Sequence, residues 1–177
     1  VASLIAATEN GVGIVGVYPQ ARLQSWDSAI GSGTQLATSE IVKGVLAATA
    51  GGPGVINLSL GGDSAEVPIR QAIATAVSKG MLVVAASGND GDAGNRLTYP
   101  ASLPHVLTVA ATDFQNDVAF FWSRSRCVDL AAPGEDTFVA DALSQGWESE
   151  DGTSFASPIV AGAAAWVWTA RPALDAS

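Results

Sequence analysis

The sequence predicts an α/β domain with a mainly parallel β-sheet that is covered by helices on both faces. Two continuous apolar runs, 81–86 and 106–110, have the length and composition of strands buried on both sides. Segments with apolar residues at helical spacing, 38–50 and 65–79, alternate with short apolar runs. Buried strands that alternate with amphipathic helices are typical of parallel βαβ units, and this pattern predicts the class.

The remaining elements are predicted from the same patterns in chain order. Residues 1–7 are Ala-rich and apolar, which favours a helix, and residues 21–26 are mixed, which favours a short strand. Two further strands are predicted at 55–58 and 128–131. The small residues of 153–170 predict a long closing helix. The long connections, where functional residues usually lie, fall at 28–37, 87–99 and 113–127.

Composition narrows the class of function. The 177 residues suit one domain with a sizeable core. A composition of 48% hydrophobic and only 14% charged residues argues against disorder. The formal net charge of −9 disfavours nucleic-acid binding, because an acidic surface repels phosphates. No apolar run approaches the ~20 residues that span a bilayer, so no membrane span is predicted. The single Cys127 excludes an intrachain disulfide and is expected to be a small buried apolar residue.

The strongest motif is Gly152-Thr153-Ser154-Phe155-Ala156-Ser157-Pro158, at the start of the long predicted helix. Free N–H groups and the positive end of the helix dipole stabilise negative charge that develops near a hydroxyl placed there. From these residues alone two interpretations stay open. In the first, Ser154 is a nucleophile; in the second, either Thr153 or Ser154 simply caps the helix.

Two more motifs follow predicted strands. Asn89 lies in Ala85-Ala86-Ser87-Gly88-Asn89-Asp90-Gly91, at the sheet edge where sites of α/β folds form. Its amide can donate a hydrogen bond to an oxyanion, and an ordinary Asn-Asp-Gly turn is the alternative. The second motif is Asn57-Leu58-Ser59-Leu60-Gly61-Gly62, whose glycines let an extended peptide approach by β-addition. Its alternative is a plain glycine-rich strand exit.

Seven segments in this order resemble the subtilisin-like serine peptidases, or subtilases, over nearly the whole chain. They are residues 1–7, 16–19, 55–62, 83–89, 99–101, 128–134 and 152–158. The resemblance implies that 1–177 is a single catalytic domain with a subtilisin-like three-layer α/β/α fold. It also implies a secreted serine endopeptidase whose substrate is a polypeptide in extended conformation.

The resemblance assigns roles residue by residue. Ser154 matches the nucleophile, and Asn89 matches the oxyanion-hole amide that works with the backbone N–H of Ser154. Thr98 stands where many subtilases have glycine at the floor of the specificity pocket. A threonine there predicts a shallower pocket that disfavours the largest aromatic side chains. Seven other residues match the two walls and the rim of the substrate groove, where the Asp90 carboxylate would favour basic or polar groups: Ser59, Leu60, Gly61, Ala86, Ser87, Gly88 and Asp90.

The resemblance also predicts that the catalytic Asp and His lie upstream of Val1. The triad order in subtilases is Asp, His, Ser, and the motif His-Gly-Thr-x-Val-Ala continues into Val1-Ala2. The chain is then the N-terminally incomplete C-terminal two-thirds of the domain, and the absent segment is an expected partner. A serine hydroxyl without a base is a weak nucleophile, so little activity is expected of the chain alone. His105, the only histidine, is interpreted as a solvent-facing loop residue.

Calcium and two alternative functions complete the expectations. The loop 8–14 resembles the high-affinity calcium loop of subtilases, with ligands from the Asn10 side chain and the carbonyls of Thr8, Val12 and Ile14. A metal-free Asn-Gly turn is equally open. A peptide-binding module that has lost its catalytic base, and a site shared by two chains, are the alternatives to a peptidase. Apolar surface left by the absent segment predicts that the isolated chain aggregates.

Overall fold

The computed structural model describes residues 1–31, 35–91, 94–121, 126–141, 144 and 146–175. Its helices are α1 (Ala2–Ala6), α2 (Thr38–Ala48), α3 (Val67–Ser78) and α4 (Thr153–Ala170), and a 3-10 turn, Thr49–Gly51, follows α2. The strands are β1 (Val55–Leu58), β2 (Leu82–Ala86), β3 (Val106–Thr112), β4 (Leu130–Pro133), β5 (Thr137–Ala140) and β6 (Trp147–Glu150).

Four strands form a parallel sheet in the order β1-β2-β3-β4. The register pairs Leu58 with Ala85, and Ala86 with Val109. Because all four strands run in the same direction, their carboxyl ends lie along one edge of the sheet. β5 and β6 form a separate antiparallel hairpin between β4 and α4 in the chain.

Helices cover both faces of this sheet, as the class requires. On one face α2 and α3 pack through Ile41 and Ile73 against Ile56 and Val83. On the other face α4 contacts all four strands, and α1 packs against α4. Alanines such as Ala156, fully buried among Val84 and its neighbours, let α4 lie close to the strands. The predicted three-layer α/β fold is confirmed.

Most predicted elements are confirmed within a few residues, and one is wrong. Residues 21–26 form no strand, and the segment makes no ladder with any strand that the structure describes. Its large side chains are not buried either, because Leu23 is 51% and Trp26 45% exposed. The β5–β6 hairpin was not predicted. The predicted loops 28–37, 87–99 and 113–127 lie partly outside the described residues, and Cys127 is half-buried rather than buried.

No helix in the described part of the chain combines the length and the apolar character needed to cross a bilayer.

Candidate active site

Three segments of the chain meet at the carboxyl edge of the parallel sheet. Ser59 follows β1, Asn89 follows β2, and Ser154 lies in the first turn of α4. The Ser59 hydroxyl donates a hydrogen bond to the carbonyl oxygen of Ser154 over 2.8 Å. The Asn89 side-chain oxygen accepts the backbone N–H of Thr153 over 3.0 Å. The three motifs therefore form one site, although 95 residues separate Ser59 from Ser154.

The start of α4 depends on a glycine. Gly152 has φ +153° and ψ 151°, a backbone region that is essentially restricted to glycine. A Cβ at this position would lie 3.2 Å from the side-chain nitrogen of Asn89. The Gly152 N–H donates to the carbonyl of Gly134 over 2.7 Å, which ties the helix start to the end of β4. Gly152 thus lets helix, strand end and amide approach one another closely.

Asn89 caps α4 from a different element. The backbone N–H of Thr153 can only donate, so the amide atom facing it must be the oxygen. The Thr153 hydroxyl donates to the same oxygen over 2.9 Å and accepts the Gly88 N–H over 3.2 Å. Neither Thr153 nor Ser154 caps its own helix, so the simple capping interpretation of the motif is wrong.

The same arrangement leaves three polar groups available beside one another. With its oxygen bound to Thr153, the Asn89 amide nitrogen faces away and makes no hydrogen bond to the residues that the structure describes. The backbone N–H of Ser154 belongs to the unpaired first turn of α4. The Ser154 side chain is half-buried, and its hydroxyl has no partner within the described ranges. One hydroxyl and two hydrogen-bond donors therefore stand close together, which is the set of groups that acyl transfer needs.

Pro158 explains why Ser59 can bind the Ser154 carbonyl. In a regular helix the N–H of residue 158 would donate to the carbonyl four residues earlier, but proline has no N–H. The Ser154 carbonyl is therefore free of its helical partner, and it accepts the Ser59 hydroxyl instead. This bond attaches the turn that carries Ser154 to the end of β1.

A buried chain of hydrogen bonds supports this contact. The Ser157 hydroxyl, 0% exposed, donates to the Asn57 side-chain oxygen over 2.6 Å. The Asn57 amide nitrogen then donates to Ser59 over 3.0 Å. Sequence reasoning did not single out Asn57 or Ser157 for a role. The available signal was a polar residue inside the otherwise apolar strand Val55–Leu58.

The residues predicted to form the substrate groove lie at the ends of β1 and β2. Ala86 and Ser87 are buried, and the Ser87 hydroxyl has no hydrogen-bond partner within the described chain. Gly61 is exposed, and a Cβ built on it would lie only 2.4 Å from the methyl carbon of Thr98. The next pair of residues, Gly62 and Tyr99, exchange two backbone hydrogen bonds of 2.9 Å. Thr98 is thus held directly against the β1 wall. The other wall and rim residues are half-buried (Ser59, Leu60, Gly88) or exposed (Asp90).

His105 lies far from Ser154. It immediately precedes β3 and therefore sits at the amino edge of the sheet. Seven residues of β3, about 23 Å at ~3.3 Å per residue, separate it from the carboxyl edge. His105 is exposed and has φ +64°. His105 is therefore too far from Ser154 to share a proton with it, and the 177 residues contain no other histidine.

The described residues of the loop 8–14 do not by themselves form a calcium site. The Asn10 side-chain oxygen accepts the backbone N–H of Val12 over 3.0 Å, which closes a local turn. Even together with the carbonyls of Thr8, Val12 and Ile14, the loop would supply at most four oxygens, whereas Ca²⁺ takes six to eight. The described residues also contain no cluster of three or more His, Cys, Asp or Glu side chains suited to a metal. The donor set does not complete a site by itself.

The region that leads into α4 is strongly acidic. Between Cys127 and Ala170 there are seven carboxylates and no Lys, Arg or His. Desolvation, followed by repulsion from Asp151, Asp113 and Asp136, raises the pKa of Glu135. Desolvation, followed by repulsion from Asp141 and Glu150, raises the pKa of Glu148. Carboxylates in the segment that leads into α4 therefore repel one another.

Comparisons with known proteins point to one family. The model of the subtilase family, Peptidase_S8, matches residues 1–177. Subtilisin DY of Bacillus licheniformis is 40% identical over 181 residues, covering 100% of this chain and 65% of the relative. Subtilisin Savinase of Lederbergia lenta is 41% identical over 177 residues, covering 97% and 62%. The chain therefore spans slightly less than two thirds of the length of these two relatives, and 44% of the alkaline protease of Shouchella clausii.

Solved structures give the same result. A psychrophilic protease, S41, superposes with a TM-score of 0.88 at 31% identity, over 99% of this chain and 63% of that one. Sphericase has a TM-score of 0.88 at 29% identity, over 99% and 64%. The family match along the full chain, the identities near 40% and the shared fold lead to one conclusion: this chain belongs to the subtilase family.

Proposed function

We propose that this chain is the nucleophile-bearing part, the C-terminal two-thirds, of the single catalytic domain of a secreted serine endopeptidase. One observation carries the proposal. The Asn89 amide is oriented by Thr153 so that its nitrogen is free, beside the free backbone N–H and the half-buried hydroxyl of Ser154. A helix cap needs only the amide oxygen. Unpaired donors are instead what stabilises an oxyanion, and they must lie next to the hydroxyl that attacks the carbonyl.

The reaction is acyl transfer. The Ser154 oxygen attacks the scissile carbonyl carbon while a histidine takes the hydroxyl proton, and an aspartate orients that histidine. The negative charge that develops on the carbonyl oxygen is bound by the Asn89 side-chain N–H and the Ser154 backbone N–H. Collapse of this intermediate gives an acyl-enzyme on Ser154 and passes the proton to the leaving amine. Water, deprotonated by the same histidine, then releases the acid.

The histidine and the aspartate come from outside the 177 residues. The position of His105 at the opposite edge of the sheet supports this step. So does β1, which among the described strands pairs only with β2 and leaves its second edge open. An N-terminal segment of the same domain would add a strand at this edge and bring the base to Ser154. Because the base is external, the isolated chain is expected to be inactive.

The substrate is an extended polypeptide that binds along the end of β1. The exposed Gly61 allows a second backbone to approach Ser59 and Leu60. A cavity of about 410 Å³ opens beside the same segment and has room for a side chain of the peptide. Its lining combines apolar residues such as Leu60 and Ile69 with polar ones such as Thr38 and Glu66. Ala86, Ser87 and Gly88 form the opposite wall, and the Thr98 methyl limits the depth between the two walls.

Calcium, if it binds, has a structural role. The Asn10 side chain and the carbonyls of Thr8, Val12 and Ile14 would contribute four oxygens, and further ligands would come from outside the chain. No step of the reaction passes through this ion.

Labelling with a fluorophosphonate tests the proposed nucleophile. The native polypeptide that carries this chain should be labelled at Ser154, and Ser154→Ala should abolish the label. Ser78→Ala, which removes an exposed hydroxyl on α3, is the matched control and should leave labelling unchanged. Peptide binding without any label at Ser154 would favour the alternative, a catalytically dead peptide-binding module.

A further inference from the structure

We infer that a groove on α3, remote from Ser154, binds a small carboxylate with an apolar body. The groove has a volume of about 360 Å³, within the range of small-ligand sites. One wall is a single face of α3, and the other is the loop that precedes β3. The lining residues are Arg70, Ile73, Ala74, Val77, Ser78, Leu103, Pro104 and His105.

The interior of this α3 groove is apolar. Residues 70, 73, 74, 77 and 78 recur at the spacing of one helix face, so their side chains form one continuous wall. Ile73 and Leu103 are 1% and 8% exposed and lie at the base of the groove. Ala74 is exposed and small, so it leaves open the space above them. A short hydrocarbon chain would therefore exchange water for apolar contacts on two sides.

The polar groups of the α3 groove select the charge of the ligand. Arg70 and His105 stand exposed at its rim, and none of the lining residues is acidic. Among the described residues Arg70 forms no ion pair. Glu66, one turn earlier, binds the Thr38 hydroxyl over 2.8 Å instead. In a chain of net charge −9, an arginine with no acidic partner beside an apolar groove is a specific place for an anion.

The position of the groove makes it independent of the proposed peptidase site. His105 lies at the amino edge of the sheet, whereas Ser154 and Asn89 lie at the carboxyl edge. A ligand here would occupy neither the substrate groove nor the oxyanion site. Its binding can therefore be measured on an inactive Ser154→Ala variant, and its failure would leave the proposed peptidase function unaffected.

The test is an NMR titration of the native protein, carrying Ser154→Ala, with hexanoate, 1-hexanol and hexylamine. We expect saturable shifts at Ala74, Val77 and His105 with hexanoate. Binding of the neutral alcohol should be about threefold to fivefold weaker, as for one partly exposed ion pair. The amine should not saturate the groove. Acetate, which has the charge but no apolar body, should bind more weakly than hexanoate.

Variants separate the charge from the groove. Arg70→Gln should reduce hexanoate affinity to that of hexanol, while Arg171→Gln, an exposed arginine outside the groove, should change nothing. Ala74→Phe should fill the groove and abolish binding of both ligands, and Gln71→Phe, exposed on the same helix but outside the groove, is its control. Equal binding of acid and amine, hexanoate affinity unchanged by Arg70→Gln, or no saturable shifts at all would overturn the inference.

Discussion

Removal of the Ser157 hydroxyl should destabilise the fold through the active-site scaffold. Ser157 is 0% exposed and donates over 2.6 Å to the side-chain oxygen of Asn57, so water cannot replace it in Ser157→Ala. The lost hydrogen bond and the buried, unsatisfied amide oxygen together should cost about 1–3 kcal/mol. Urea denaturation of the native protein measures this. With an m-value of about 2–3 kcal/mol/M, the midpoint should fall by roughly 0.3–1.5 M.

Two comparisons make this prediction specific. Thr75→Ala removes an exposed helical hydroxyl that donates to the Gln71 carbonyl, and it should change the free energy of unfolding by no more than about 0.5 kcal/mol. The double variant Ser157→Ala/Asn57→Leu should lose less free energy of unfolding than the two single variants lose together. In the double variant neither polar group of the pair stays buried without its partner. A Ser157→Ala midpoint equal to that of Thr75→Ala, or strict additivity in the cycle, would refute the assigned network.

Three other predictions concern the site and its surroundings. Asn89→Asp keeps an acceptor for the Thr153 N–H but loses the amide donor. The kcat of the complete enzyme should therefore fall about 10²–10³-fold, the usual effect of losing one oxyanion donor, with little change in KM. An undiminished kcat would exclude the oxyanion role. Thr98→Gly removes the methyl next to Gly61. It should raise kcat/KM for peptides with Phe or Tyr before the scissile bond about 10-fold or more, relative to kcat/KM for the corresponding Ala peptides. A strong Phe or Tyr preference of the unsubstituted enzyme would contradict the shallow pocket. The raised pKa values of Glu135 and Glu148 mean that the folded state binds protons more tightly than the unfolded state, so the free energy of unfolding should decline as pH rises above about 4.5. Glu135→Gln/Glu148→Gln should reduce this decline in denaturation curves measured across that range. An unchanged slope would argue against the desolvation and repulsion assigned to these two carboxyl groups.

The parallel sheet could be predicted because its strands carry an unambiguous signal. Residues 81–86 and 106–110 are apolar throughout, since helices cover them on both sides, and β2 and β3 lie there. The β5–β6 hairpin lacks this signal. Only Thr137 and Val139 of β5 are buried, and β6, Trp147–Glu150, is mostly exposed. The segment 21–26 was wrongly predicted as a strand for a related reason. A segment with a strand-compatible pattern becomes a strand only when a neighbouring strand completes its backbone hydrogen bonds.

The site was predictable as separate motifs but not as a network. Ser154 and Asn89 could be identified from the segments around them, and the structure places them at one helix start. The bond between Ser157 and Asn57 joins positions 100 residues apart. Nothing in a single sequence connects such residues, because their partnership depends on α4 crossing β1 at one particular height. Long-range side-chain pairs of this kind become visible only with the fold.

The proline in the second turn of α4 has a consequence for attempts to engineer greater stability. Pro158→Ala would restore the missing main-chain bond and suit the intrinsic preference of a helix, so a design that scores each element separately would favour it. The regained bond would compete with Ser59 for the Ser154 carbonyl and would loosen the link between helix and sheet. A more regular helix would thus hold Ser154, the proposed nucleophile, less firmly, so that a gain in helix stability would come with slower turnover of the complete enzyme.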